Sequence, residues 1–130
     1  MAEFDNYRKR TEKEKQSMFE TGAKSVIEKI LPVVDNFERG LAAIPEEEAK
    51  SSFAEGMNMI YKQLMGELEK LEVKPIEAVG KEFDPMLHEA LMVSNDKEKE
   101  DDIILECLLK GYTLKGKVIR PAKVVVNKLD

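Results

Sequence analysis

The sequence predicts an α+β protein: a long helical stalk and helix pair followed by a small C-terminal β domain. Three observations predict it. Apolar residues recur at three- and four-residue steps as far as Leu71. The period changes after Val73. Two motifs, Phe-Asp-Pro-Met-Leu-His-Glu-Ala at 83–90 and Gly-Tyr-Thr-Leu-Lys-Gly-Lys-Val-Ile-Arg-Pro-Ala at 111–122, form a compact unit behind the helices.

Residues 4–31 read as a helix, with apolar or small positions at Phe4, Tyr7, Thr11, Met18, Phe19, Ala23, Val26, Ile27 and Ile30. Between Arg8 and Ser17 no apolar side chain occurs. Helix stability in proteins comes mainly from tertiary packing, so a stripe this thin must pair with something, most simply a second copy of itself. Its polar seam is expected to be the weakest part of such a dimer and to unwind reversibly on heating. The pattern also starts without a cap, so the natural protein is expected to extend upstream.

Pro32 removes a backbone hydrogen bond and crowds the preceding turn, so a kink or break is expected near residue 32. Val34, Phe37, Leu41 and Ile44 resume the spacing, and Gly40 with Pro45 closes this piece. A second long helix is expected over 46–71. Glu46, Glu47 and Glu48 suit its N-terminal dipole, and Phe53, Met57, Ile60, Tyr61, Leu64, Leu68 and Leu71 form its stripe. At about 1.5 Å per residue it would span roughly 39 Å. Two such helices per chain bury their stripes best as a four-helix bundle across a dimer. Gly56 and Gly66 each cost this helix about 1 kcal/mol relative to Ala. Gly66 reads as a tolerated surface glycine, and Gly56 as either that or a point of close helix approach or partner contact. Residues 1–72 are thus the helical dimerisation region and 73–130 the β domain.

Within the β domain, 73–79 with Pro75 reads as an edge strand. Further strands are expected at 91–94, 103–109 and 117–127, the last interrupted by Pro121, with a solvated charged loop over 96–102. Asp84-Pro85 is a helix start, because Asp caps free N–H groups and Pro fits the first helical position. Residues 86–90 would form a single turn with Phe83 packed at its entrance.

Composition narrows the function. The 130 residues suit one domain, or a small domain with an elongated extension. No apolar run approaches the roughly 18 residues of a membrane span, and Glu3, Asp5, Glu12 and Glu14 fit neither a signal nor a transit peptide. A single cysteine, Cys107, leaves no internal disulfide and fits a reducing compartment, so a cytoplasmic protein is expected. Residues 96–106 carry six acidic and two basic residues, and 110–128 carry six basic and none acidic. The basic stretch suits an acidic protein surface better than nucleic acid, which the net charge of -5 would repel. Gly-rich phosphate cradles are absent, so no nucleotide cofactor is expected.

Asp84, His88 and Glu89 have catalytic residue types, but His88 is the only histidine and no second ligand set accompanies it. His88 therefore reads as structural, no metal is expected, and an enzyme is disfavoured. On a strand, Ile103, Leu105, Cys107 and Leu109 share a face, taken as the core side, which makes Cys107 a buried inert thiol. Leu108 then points outward beside Lys110, either as a binding patch or packed under a loop. Arg8, Lys9 and Arg10 form a basic cluster, either a solvated face paired with Glu12 and Glu14 or a partner contact.

Several stretches, in order, resemble the GrpE family of nucleotide exchange factors for DnaK chaperones. They are Asn6-Tyr7-Arg8-Lys9-Arg10-Thr11, the run from Ile30-Leu31-Pro32 to Phe37-Glu38-Arg39, Phe83-Asp84-Pro85 with His88-Glu89-Ala90, Gly111-Tyr112-Thr113-Leu114, and Arg120-Pro121-Ala122. The resemblance covers essentially the whole chain. It implies a parallel homodimer with a central four-helix bundle and two β wings, one of which inserts against the chaperone's nucleotide-binding domain and expels ADP. It places partner contacts at Phe83, Leu108, Lys117 and Val126 in the wing, at Arg8 and Arg10 in the stalk, and at Gly56, a position sensitive to bulk. Lys117 stands where many relatives have Arg, which weakens a bidentate carboxylate contact. The other class of reading is a structural coiled-coil adaptor in which the β unit only caps the bundle.

Overall fold

The computed structural model describes residues 2–130, and the chain divides into two compact units, Met1–Val33 and Val34–Asp130. Helix α1 is Ala2–Ala42, with Pro32 inside it. The helix does not break there. Pro32 itself is exposed, while Leu31 and Val34 on either side are fully buried. Burying two such side chains contributes about 1.5–3 kcal/mol each, enough to offset a lost hydrogen bond and a crowded turn. Among the described residues up to Val33, only Ile27 and Leu31 are buried.

The second helix begins later than expected. Glu46–Glu48 forms a short 3-10 turn after Pro45, and α2 is Ser52–Lys70. The glutamates suggested a start on charge alone. The structure starts the helix where a side chain can cap it, with Ser51 Oγ accepting the Ala54 N–H at 3.1 Å. Its 19 residues span about 28 Å rather than the longer rod. Glu72, in the left-handed region at φ 67°, ends the helix and turns the chain into the first strand.

The β region contains β1 (Val73–Pro75), β2 (His88–Ser94), β3 (Ile104–Leu109), β4 (Tyr112–Leu114), β5 (Lys117–Arg120) and β6 (Ala122–Asn127). They make two three-stranded sheets, ordered β1-β4-β5 and β2-β6-β3. β1 is an edge strand as its proline requires, although it stops at Pro75 rather than 79. β4 had no separate signal: three residues are too short to show a period. Lys115 and Gly116, both at positive φ, supply the tight β4–β5 turn.

Pro121 divides the expected last strand, and the two halves belong to different sheets. Gly111 does the same between β3 and β4. The two crossings lie backbone against backbone: a Cβ on Gly111 would stand 2.3 Å from Ala122 N and 2.7 Å from the Pro121 carbonyl carbon. Only glycine fits there, which gives the Gly111-Tyr112 and Arg120-Pro121-Ala122 motifs one shared physical cause.

Ala78, Ile104, Ala122, Val124 and Val126 form the core of the β2-β6-β3 side, flanked by half-buried Ile76, Phe83 and Cys107. The expected core face of β3 is partly overturned: Ile104 is buried, whereas Ile103 and Leu105 are only half-buried. Register shifts between Ile104 and Glu106, and again between Cys107 and Leu109, reset the alternation. Cys107 still packs toward the core.

Candidate functional site

The turn at 84–88 is built much as its sequence suggests. The Met86 N–H donates to Asp84 Oδ1 at 2.9 Å, and the Leu87 and His88 N–H groups donate to Asp84 O. Strand β2 starts at His88, however, so no turn runs on to residue 90. The reason is the imidazole. His88 is buried; its Nδ1 accepts the Asp84 N–H at 3.0 Å, which leaves Nε2 to donate to Glu77 O at 3.2 Å. Both ring nitrogens are spent on backbone, as a structural histidine requires. Among the described residues no group of three or more His, Cys, Asp or Glu is placed to hold a metal ion.

Three of the expected contact residues come together. Phe83 is half-buried, packs on the core that contains Val126, and lies 6.0 Å from the His88 ring. Val126 is buried in the central strand β6. Leu108 lies in β3 of the same sheet and is 44% exposed, in the irregular stretch between Cys107 and Leu109. Leu108 is therefore the one apolar member that a partner can reach without disturbing the core. Next to it, Cys107 is half-buried rather than buried. Its thiol donates to Leu109 O at 3.4 Å, and burial pushes it up from the ordinary thiol range, only partly opposed by Lys110 and Arg120.

The remaining candidates lie elsewhere. Lys117 opens β5 in the other sheet. Gly56 lies in the second turn of α2, where an added Cβ would meet nothing within 4 Å, so no close helix approach inside this chain accounts for it. Gly66 has the same open surroundings. Arg8 and Arg10 belong to the unit Met1–Val33, exposed, with the Arg10 guanidinium 5.8 Å from the Tyr7 ring centroid.

Two features were not read from the sequence. The loop 96–102 is not simply solvated, because buried Asn127 ties it down. Its Nδ2 donates to the carbonyls of Asp96, Lys99 and Glu100 at 2.8–3.2 Å, and its Oδ1 accepts the Asp96 N–H at 2.7 Å. The basic C-terminal stretch is also partly consumed inside the chain: Lys110 pairs with Glu38, Arg120 with Asp35 and Lys128 with Asp102. A lone Asn at a strand end was the only available hint of the first. The second could not be seen without knowing which helix lies beside which strand.

No described helix is long and apolar enough to cross a membrane. A family model described as GrpE matches residues 1–128. The chain is 57% identical over 128 residues to Protein GrpE of Lachnoclostridium phytofermentans, covering 98% of this chain and 57% of that protein. It is 51% identical over 127 residues to Protein GrpE of Caldanaerobacter subterraneus subsp. tengcongensis, covering 98% and 61%, and 46% identical over 127 residues to Protein GrpE of Bacillus pumilus, covering 98% and 69%. The chain thus spans between just over half and about two thirds of these relatives' length. With its helices, its paired sheet crossings and its Asp84 turn all lying within the matched residues, the chain belongs to the GrpE family.

Proposed function

We propose that the chain is a nucleotide exchange factor that works as a homodimer in the cytoplasm, binding the nucleotide-binding domain of a DnaK-type chaperone and opening it so that ADP leaves. Residues 1–72 serve dimerisation and 73–130 serve docking. Family membership supports the partner, and one structural observation supports the division of labour. The helices leave large apolar side chains uncovered, including Met18, Phe19, Phe53, Met59 and Ile60, while the β region, which also exposes Met86, Met92 and Val93, is built on a core of its own and offers Leu108 outward. Uncovered helical stripes favour a second copy of the chain.

The mechanism is differential binding. An exchange factor that binds the open conformer of its partner more tightly than the closed one shifts the ratio about tenfold for each ~1.4 kcal/mol of difference, and equal affinity shifts nothing. Leu108 and Lys117 act as contacts. Phe83 and Val126 act from the core side, setting the shape of the sheet that carries Leu108. Gly56, Arg8 and Arg10 contact the partner from the helices, with Gly56 leaving room for it. No bond is made or broken, no cofactor takes part, and neither nucleic acid nor a membrane is a partner.

Stopped-flow release of a fluorescent ADP from a DnaK-type chaperone tests this reading. Release accelerating with added protein and reaching a plateau supports it. Tight binding without acceleration would leave a coiled-coil adaptor, and neither binding nor acceleration would reject both.

A further inference from the structure

We propose that Asp35 and Glu38 of α1, with Arg120, Lys110, Tyr112 and Tyr61, form a rigid joint that fixes the docking sheet to the helices, and that this rigidity, rather than affinity, sets how far the partner is opened. The inference rests on the exchange-factor reading above and names residues to which that reading assigns no role.

The Arg120 guanidinium grips Asp35 with two parallel hydrogen bonds, Nη1 to Oδ2 at 2.6 Å and Nη2 to Oδ1 at 2.9 Å. The two side chains are only 17% and 15% exposed, which separates this pair from the surface ion pairs elsewhere in the chain. The same guanidinium donates twice to Lys110 O, at 2.9 and 2.6 Å, and lies 5.4 Å from the Tyr112 ring centroid. Glu38, nearly one helical turn after Asp35, takes Lys110 Nζ at 2.8 Å and the Tyr112 hydroxyl at 3.4 Å, and also interacts with the Tyr61 hydroxyl from α2. Phe37, next to Glu38 on α1, stacks on Tyr61 of α2 with ring centroids 5.9 Å apart. Two carboxylates on one helical face therefore hold three elements together: the end of α1, helix α2 and the β1-β4-β5 sheet.

From there the constraint passes to the docking sheet. Arg120 precedes the Pro121 crossing and Lys110 precedes the Gly111 crossing, and the two crossings are in backbone contact. Any swing of the β2-β6-β3 sheet against the helices must disturb one or the other. A partner held at Gly56 on α2 and at Leu108 on β3 is then gripped at two points whose separation cannot adjust. If the joint were loose, the protein would follow the partner's closed form as easily as its open one, and its preference between them would shrink.

The test uses Arg120→Lys, which keeps the charge but loses the fork, Arg120→Met, and Asp35→Asn as a milder variant in case Arg120→Met does not fold. Electron–electron distance measurements between spin labels at Lys62→Cys and Glu106→Cys, in a Cys107→Ser background diluted with unlabelled chain, report the joint directly. The expected result is a broadened distance distribution and a saturating ADP-release rate lowered about tenfold in Arg120→Met, with affinity for the ADP-bound chaperone changed less than about threefold and Arg120→Lys intermediate. Unchanged distance distributions in folded variants, or affinity falling in step with the saturating rate, would overturn the proposal. If the unsubstituted protein releases no ADP, the exchange-factor reading fails by itself, and the distance measurement alone decides whether the joint exists.

Discussion

In the unit Met1–Val33, Phe4, Tyr7, Met18, Phe19 and Val26 are all more than half exposed; in Val34–Asp130, Tyr112, Ile104, Val124 and Val126 are at most 1% exposed. Both units contain helix; the second holds a packed core cluster, and among the described residues of the first Ile27 and Leu31 alone are buried. In the first, recurrent side-chain bonds are local, such as Thr11 Oγ1 to Tyr7 O and Thr21 Oγ1 to Ser17 O, each a turn back along the same helix. In the second they span the fold, as when Arg120 reaches Asp35 and Asn127 reaches Asp96. Local bonds do not replace tertiary burial in stabilising a helix. The second unit is built around a core of its own, although its helix also leaves Phe53, Met59 and Ile60 uncovered, and the first unit leaves most of its apolar stripe uncovered.

The strongest way to break this contrast is to attack the second unit alone. Gly111→Ala drives a Cβ to 2.3 Å from a backbone nitrogen that cannot move away, and should cost about 3 kcal/mol. Ile104→Ala, at a fully buried position, should cost a similar ~3 kcal/mol. Urea unfolding followed by tyrosine fluorescence should register both losses, while helical circular dichroism from the first unit persists.

Phe19→Asp sharpens the comparison from the other side. If a second chain covers Phe19, the first unit's melting should be destabilised by about 2 kcal/mol. If Phe19 meets only water, the change should stay within about 0.5 kcal/mol. Gly56→Asp introduces a charge where the chain itself leaves open space, so helical content should hold while chaperone affinity, measured by calorimetry, falls about tenfold. Undiminished affinity would remove Gly56 from the contact set. Ser51→Ala, which deletes the α2 cap, should cost about 1 kcal/mol in denaturant unfolding.

The last effect is alkaline. Burial first, then hydrogen bonding to Glu38 and its negative charge, push the Tyr61 hydroxyl up to about 12. The neutral form is therefore favoured in the fold, and its contribution is complete below the ordinary value of 10.0 and lost as pH rises through about 12. Absorbance at 295 nm should show this ionisation delayed in the folded protein, and Glu38→Gln should advance it.

The two helices were legible because a period repeated over several turns is a strong signal, and the Asp84 turn because capping chemistry is local. The Pro32 break was misread because the burial of Leu31 and Val34 depends on tertiary packing that no local rule contains. The start of α2 was misread because it was placed on the charge of Glu46, Glu47 and Glu48, whereas the helix starts after the side-chain cap at Ser51. On β3 the bulges broke the two-residue alternation, so Ile104 was assigned to the wrong face while Leu108 was placed correctly outward. The joint of Asp35 with Arg120 joins residues 85 apart, and sequence offered both motifs without the contact between them.

Thermal melting at a series of protein concentrations, followed by helical circular dichroism and tyrosine fluorescence together, tests the contrast between the units most directly. The helical transition should move to higher temperature as concentration rises, because a second chain supplies the burial that the first unit lacks. A helical transition independent of concentration, with a protomer mass of 14.8 kDa in light scattering, would contradict it.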